Sequence, residues 1–262
     1  MRRLLAAAAV AAGTPGALLA QQDWYNLDRG HPFEVTDARA LERKAVEFQL
    51  SPLDLARAEG GRYGWTLAPS AAVGLLPRTE LELEVPLEWT DGPESRGGLA
   101  GVELGVLHAL NVESATLPAL AVEAAVLLPV GGEAPDAAFT TLGLLVTRAF
   151  GRNRLHLNAA GTFGPSDGAP PDLPRWGAGL ALDRALPLSA TLLGAELVAG
   201  DPFAAGEPLD WDVGLGGRRQ LDPRLVIDSG VRYRFAGDSR GWSVRLGFGW
   251  MTALARGRGG AS

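Results

Sequence analysis

Apolar and charged residues alternate one by one along several stretches of the chain. The contrast is sharpest over 79–89, where Leu, Val and Trp occupy the odd positions after Thr79 and Glu occupies most even ones. Neighbouring side chains of a strand point to opposite faces, so this pattern collects the apolar groups on one face and the carboxylates on the other. On a helix the same residues would scatter around the axis. The pattern therefore predicts a half-buried strand.

The same two-residue period recurs along the chain and predicts about twelve strands. It is clear again over 225–235 and over 242–250, where large apolar residues alternate with small or charged ones. The predicted strands are 45–57, 62–74, 79–89, 99–110, 118–129, 138–150, 154–164, 175–185, 188–199, 211–220, 225–236 and 241–251.

Connections between these strands alternate in length. Short ones lie at 75–78, 151–153, 186–187 and 221–224, and longer Gly-, Pro- and Asp-rich ones lie at 90–98, 131–137, 165–174 and 200–210. Only 111–117 is longer than this alternation expects. Short turns on the periplasmic side and longer external loops are typical of bacterial membrane barrels. We predict an all-β fold, an antiparallel up-and-down transmembrane β-barrel of about 12 strands.

Aromatic residues cluster at the ends of the predicted strands. Amphipathic rings favour the headgroup region of a bilayer, so such clusters are typical of the aromatic girdles of membrane barrels. General enrichment of aromatics in strands is the simpler alternative. The predicted girdle consists of Trp65, Trp89, Trp176, Trp211, Phe235 and Trp242 near the longer loops and Phe248 and Trp250 near the other rim.

The N-terminus has the pattern of an export signal. Arg2 and Arg3 precede an apolar run that is too short to span a bilayer, and a Pro-Gly break follows it. We predict a cleaved signal peptide at 1–20, a periplasmic lead-in at 21–44, the barrel at 45–251 and a tail at 252–262. The predicted location is the bacterial outer membrane.

Composition supports export and excludes several classes of function. The 262 residues are 47% hydrophobic, yet no apolar run after the signal is long enough for a membrane helix. Absence of cysteine excludes disulfides, thiolate metal sites and a cysteine nucleophile. The chain has 24 basic and 30 acidic residues without a basic run, so no nucleic-acid partner is expected.

Three segments resemble a known family of outer-membrane proteins. They are the charged start of the first strand, 42–50, the turn-containing block LAPSAAVGLLPRTELEL at 67–83, and LLPVG at 127–131. With them the chain is similar, from about Asp37 to Trp250, to the outer-membrane barrels of the MetA-pathway of phenol degradation family. The resemblance implies an uptake channel, with hydrophobic or aromatic compounds among its solutes, and no catalytic motif. The chain departs from the usual terminal aromatic signal, because a tail follows Trp250.

If the apolar face of each strand contacts lipid, the charged face lines the lumen. The predicted lumen-facing residues are Glu80, Glu82, Glu84, Glu88, Glu103, Glu123, His156, Arg218, Arg232, Arg234 and Arg245. Residues 45–130 contain 12 acidic and 4 basic residues, whereas 201–262 contain 7 and 9. Two alternatives follow: a constriction in which opposed carboxylates and guanidiniums select solutes, or salt-bridged packing that fills the barrel.

The sequence gives little support for an enzymatic function. The three histidines, at positions 31, 108 and 156, have no metal-binding spacing, and no serine is placed to form a triad with them. No phosphate-binding loop leads into a helix. We therefore expect a non-enzymatic protein without metal or cofactor.

The predicted function is a channel that lets small solutes cross the outer membrane. Its expected partners are outer-membrane lipid, the barrel insertion machinery and small solutes. A plugged barrel with a structural or envelope-maintenance role is one alternative. A periplasmic lipocalin-like binding protein is another, and that fold should bury the apolar face and most aromatics.

Overall fold

The computed structural model describes residues 26–29, 31–58, 61, 63–91, 96–166, 173–203, 206–237 and 240–254. Its regular elements are strands and one short 3₁₀ turn, Pro187–Ser189. The strands are β1 Ala45–Ala58, β2 Tyr63–Leu76, β3 Thr79–Glu84, β4 Leu87–Thr90, β5 Arg96–Leu99, β6 Val102–Asn111, β7 Ala119–Leu128, β8 Phe139–Phe150, β9 Asn153–Phe163, β10 Trp176–Leu186, β11 Thr191–Asp201, β12 Asp210–Asp222, β13 Leu225–Ala236 and β14 Gly241–Ala253.

The strands form one closed antiparallel ring. Segments β3 and β4 together make one wall strand and β5 and β6 make the next, so 14 segments build a wall of twelve strands. The ring closes because β1 pairs with β14 on one side and with β2 on the other. This confirms the predicted fold class. Closure leaves no unpaired sheet edge, which is what allows strands to cross a bilayer.

Connections separate into two ends of the barrel. The turn end contains 77–78, 112–118, 151–152, 187–190 and 223–224, together with the start of β1 and the end of β14. The opposite ends of the wall strands form the other end of the barrel, named here the loop end. The long connection 112–118 is held by Arg148, whose guanidinium donates to the carbonyls of Ser114, Ala115 and Leu117 at 2.7–2.9 Å.

Strand positions agree with the two-residue period, and every predicted strand has an observed counterpart. The structure extends the last strand to Ala253, so the first two residues of the predicted tail belong to β14. The predicted signal peptide and residues 255–262 lie outside the described residues.

Two neighbouring wall strands are interrupted at the same height. Val85 and Pro86 separate β3 from β4, and Ala100 and Gly101 separate β5 from β6. Pro86 has no N–H to donate, and Gly101 has φ +141°, a value that favours glycine. The Ala100 N–H still donates to the Pro86 carbonyl at 2.9 Å, so the wall remains continuous across the break.

The outward face of the ring is apolar and exposed. Leucine, valine and aromatic side chains alternate with covered inward residues along β9, β10, β13 and β14. Trp242, for example, is 55% exposed. A lipocalin-like binder should bury such residues, so the exposed face contradicts that alternative. No helix in the described ranges has the length and apolar content to cross a membrane.

The hydrophobic core lies inside the ring. Residues 26–29 and 31–44, named here the luminal segment, supply its centre, with Leu27, Phe33, Val35 and Ala38 at most 1% exposed. Leu27 and Phe33 pack on Leu192, and Ala38 packs on alanines and leucines of β6 to β8. The sequence predicts a periplasmic lead-in over 21–44, whereas the structure packs the described part of it against the inner wall.

Candidate functional site: the barrel lumen

The luminal segment follows a hairpin-like path that begins and ends near the turn end. The Asp37 N–H donates to the Leu27 carbonyl at 2.9 Å, which ties its two arms together. Between the arms the chain reaches Glu34 and Val35, whose N–H groups donate to Glu196 at 2.8 and 3.2 Å. The segment thus presents its own donors and carboxylates to the inner wall.

One anchor joins Asp28 to Arg218. The Arg218 side chain is fully buried and contacts the Asp28 carboxylate at 3.1 Å, Glu47 at 3.4 Å and the Asn26 carbonyl at 2.6 Å. Beside it, His31 Nδ1 lies 3.0 Å from Asp228 Oδ2. Because a buried guanidinium is costly without partners, this site fixes the first arm of the segment.

A second anchor holds Glu34 between two arginines. Its Oε1 accepts from Arg245 at 2.7 Å and from Arg232 at 2.9 Å, and Asp54 contacts the same guanidiniums at 3.0 and 3.7 Å. Burial alone raises the pKa of Glu34, but the guanidiniums of Arg245 and Arg232 outweigh burial and hold the pKa well below its usual range.

A third anchor fixes the returning arm through Arg154. Its guanidinium bridges Asp37 at 3.1 Å and Asp183 at 2.7 Å. His156 Nε2 lies 2.9 Å from Asp183, and its Nδ1 lies 3.0 Å from Thr147 Oγ1, which accepts from the Ala38 N–H at 2.9 Å. The Thr147 hydroxyl can then donate to Nδ1, so Nε2–H donates to Asp183.

In the third anchor a carboxylate, an imidazole and a hydroxyl are linked by hydrogen bonds in that order, as in hydrolase triads. His156 and Thr147 are both fully buried, however, and the hydroxyl already accepts from the luminal segment. A substrate has no access to them in this arrangement, so the group acts as an anchor. No group of three or more potential metal ligands occurs in the described part of the chain.

Two glycines of the wall make room for the segment. A Cβ built on Gly74 would lie 2.0 Å from the Glu42 carbonyl oxygen, and one on Gly194 would lie 3.0 Å from the Phe33 ring. A backbone carbonyl and a buried ring cannot move aside without shifting the chain, so larger residues at these positions would displace the segment.

The opposite wall carries six inward carboxylates, named here the carboxylate wall: Glu80, Glu82, Glu84, Glu88, Glu103 and Glu123. Glu84 stands directly opposite Glu103 in the strand register. Five of them are partly exposed and Glu88 is exposed, so water can reach them inside the ring. Directly opposed like charges destabilise a sheet, so this wall favours cations in its vicinity.

Few cations of the protein approach the carboxylate wall. Arg29 of the luminal segment contacts Glu123 at 2.7 Å, with its own side chain 47% exposed. Glu80 accepts from the Leu41 N–H at 2.6 Å. Within the described ranges no basic side chain forms an ion pair with Glu82, Glu84 or Glu103.

The predicted lumen arginines lie elsewhere on the inner face. Arg218, Arg232 and Arg245 contact the luminal segment, as described above, and Arg234 contacts Asp212 at 3.0 Å and Asp210 at 3.2 Å within the wall. The structure therefore does not set guanidiniums against the carboxylate wall across an open gap. The carboxylates of the segment pair with arginines of one wall, and the carboxylate wall remains acidic.

The predicted girdle aromatics lie on the outward face. Six of them are at least 41% exposed, whereas Trp211 and Trp250 are partly covered. Ring contacts join Trp211 to Phe235 with centroids 6.5 Å apart, Tyr233 to Trp242 at 4.4 Å, and Phe48 to Trp250 at 6.0 Å. These pairs form bands near both ends of the barrel.

A cavity of about 480 Å³ opens at the loop end. Phe163, Phe203, Thr162 and Arg175 line it, and Phe203 packs edge-on against Phe139. Arg175 also pairs with Asp201. The cavity therefore combines apolar rings with a charged group that is already partnered.

Sequence reasoning missed the luminal segment and its partners Arg154 and Asp183. Asp28, Glu34 and Asp37 have no periodic spacing, and their basic partners lie 117 to 211 residues away. One usable signal was the row of inward glycines on β10 to β13, because a backbone or ring often packs against such positions.

Comparison with known proteins identifies similar folds. No protein-family model matches the sequence, and no curated protein is detectably similar to it. The COG4313 outer membrane channel from Pseudomonas putida F1 matches with a TM-score of 0.57 at 15% identity, over 87% of this chain and 100% of that one. The NanC porin matches with a TM-score of 0.54 at 8% identity, over 80% and 100% of the two chains. The KdgM porin matches with a TM-score of 0.52 at 11% identity, over 79% and 98%. At these identities the likeness establishes the barrel fold.

Proposed function

We propose that this protein is an outer-membrane channel for small solutes, exported with cleavage of residues 1–20. The exposed apolar face and its aromatic bands fit a bilayer, and the similar structures are described as channels or porins. Membership of the MetA-pathway of phenol degradation family remains part of this proposal, because no family model matches.

The observation that carries the proposal is the partly exposed carboxylate wall. A barrel packed only for stability has no reason to keep Glu82, Glu84 and Glu103 without basic partners in the described chain, because burying such charges is costly. The partial exposure of these carboxylates supports a path along the wall, and the carboxylates of that path favour cations over anions. The preferred solutes are therefore small and neutral or cationic.

The cavity beside Phe163 and Phe203 favours a second class of solute. Apolar rings at the loop end would hold a small aromatic compound before it passes inward. Swelling of protein-containing liposomes in phenol, compared with a sugar of similar size, measures this preference. Equal swelling rates would remove aromatic compounds from the proposal.

Planar-bilayer recordings in a KCl gradient test the proposed path. The wild type should conduct and prefer K⁺, and E82Q/E84Q should lose much of that preference because two carboxylates become neutral. The matched control D136N/E207Q changes two exposed acidic residues outside both the carboxylate wall and the luminal segment and should behave like the wild type.

Two results would contradict the channel. Inserted protein without conductance would support the plugged structural barrel. A mature chain that stays in water and migrates identically on gels with and without boiling would exclude the membrane location.

A further inference from the structure

The turn end of the barrel is bordered by arginines on its outward face. From β8 to β13 this border contains Arg152, Arg184, Arg219 and Arg224, named here the basic rim. Arg184 and Arg219 occupy outward strand positions and are exposed, and the other two lie in turns. Asp222 lies in the same sector, and its Oδ1 accepts from the backbone N–H groups of Arg224 and Leu225.

The rim adjoins the apolar outer face. Arg184 lies opposite Leu193 in the register and two residues after Leu182, and both leucines are more than half exposed. Arg219 lies opposite Ile227, which is also exposed. Charged groups at the edge of an apolar band are at the depth where lipid headgroups begin.

The guanidiniums of the basic rim have N–H donors that form no ion pair within the described chain. Arg184 donates to Asn153 at 3.2 Å, and in the described chain no ion pair involves Arg152, Arg184, Arg219 or Arg224. The loop end differs, because Arg175 pairs with Asp201 and Arg96 lies 3.9 Å from Glu133. At that end the described acidic residues Asp91, Glu133, Asp136, Asp201, Glu207 and Asp210 outnumber Arg57, Arg96, Arg175 and Arg240.

We infer that the basic rim is a binding surface for anionic phospholipid headgroups of the leaflet at the turn end. A phosphate group accepts paired N–H groups from a guanidinium, and anionic lipid surfaces attract each nearby arginine. The inference rests on the proposed membrane location. Under this inference the turn end of the barrel binds anionic headgroups and the loop end does not, so the two ends differ in their lipid contacts.

Native mass spectrometry of the detergent-folded protein tests the rim. With equimolar phosphatidylglycerol and phosphatidylcholine, the wild type should retain phosphatidylglycerol preferentially. R184Q/R219Q should reduce this preference by about fivefold for each arginine removed. R57Q/R240Q, the matched pair at the loop end, should retain it.

Folding is checked by gel mobility with and without boiling, and R152Q/R224Q replaces the first variant if that variant does not fold. Equal retention of the two lipids by the wild type, or an unchanged preference in the folded variant, overturns the rim assignment. Conductance in planar bilayers is recorded on the same samples. A conducting barrel without lipid preference overturns the rim alone, whereas a chain that does not enter membranes overturns the proposed function as well.

Discussion

The two halves of the inner wall carry charge in different ways. On β9, β12 and β14 the inward residues Arg154, Arg218 and Arg245 are buried. Each of the three anchors pairs one of them with a carboxylate from the luminal segment. On β3 to β7 the carboxylates are partly or more exposed, and among the described residues Arg29 pairs with one of them, Glu123. In the first half the charges are paired and mostly buried, whereas in the second the carboxylates are partly exposed and mostly without basic partners among the described residues.

This difference separates stability from selectivity. Removing one member of a buried ion pair leaves an uncompensated charge, whereas exposed charges contribute little to the free energy of unfolding. Substitutions under the luminal segment should therefore affect stability. Substitutions in the carboxylate wall should affect ion preference.

Deletion of residues 26–40 should have the largest effect. The lumen loses its filling, so single-channel conductance should rise severalfold. Arg154, Arg218 and Arg245 lose their acidic partners from the segment, so the preference for cations should fall. The full-length variant D28N/E34Q/D37N provides a second measurement with little change in mass. Unchanged conductance in both variants would mean that the segment does not occupy the path.

Removing one charge from each half of the inner wall should change the free energy of unfolding by different amounts. R154M leaves Asp37 and Asp183 without their buried partner and should lower the free energy of unfolding by about 3–5 kcal/mol. E84Q relieves repulsion with Glu103 and should stay within about 0.5 kcal/mol of the wild type. Urea unfolding in lipid vesicles, followed by tryptophan fluorescence, compares them. Similar losses in both variants would refute the division.

Two glycine substitutions provide a smaller test of the same division. In G194A the new Cβ meets the Leu182 carbonyl at 2.9 Å and the Phe33 ring at 3.0 Å, which should cost about 1–3 kcal/mol. In G105A the nearest atom is Glu82 Cβ at 3.7 Å, so the change should be within about 0.5 kcal/mol. Protease should cut the luminal segment faster in G194A alone. Equal cutting in both variants would mean that Phe33 does not need this space.

Strand positions were predictable because the pattern that defines them is local. Neighbouring residues of a strand point to opposite faces. In a wall with lipid on one side, the local sequence therefore shows which face is apolar, as over 79–89 and 225–236. The interruption at Val85 and Pro86 was not predicted, because the period continues through it in the sequence. Only the pairing of Ala100 with Pro86 reveals that the neighbouring strand breaks at the same height.

The lumen was less predictable because its contacts are not local. The period places Arg218 or Arg245 on the inner face, but it does not say which carboxylate each contacts. Both are partnered by a segment whose own sequence has no two-residue period. Glu47 and Asp54 were also available as acidic residues, and geometry alone shows that they share these arginines with Asp28 and Glu34.

Chain order gives the anchors a meaning for assembly. Asp28 contacts an arginine 190 residues later, and Glu34 contacts arginines 198 and 211 residues later, on β13 and β14. Contacts between residues so distant in sequence form late in folding. The luminal segment can therefore form its ion pairs only after the last strands have been synthesised and paired. A fully bound segment is thus evidence that the ring is complete.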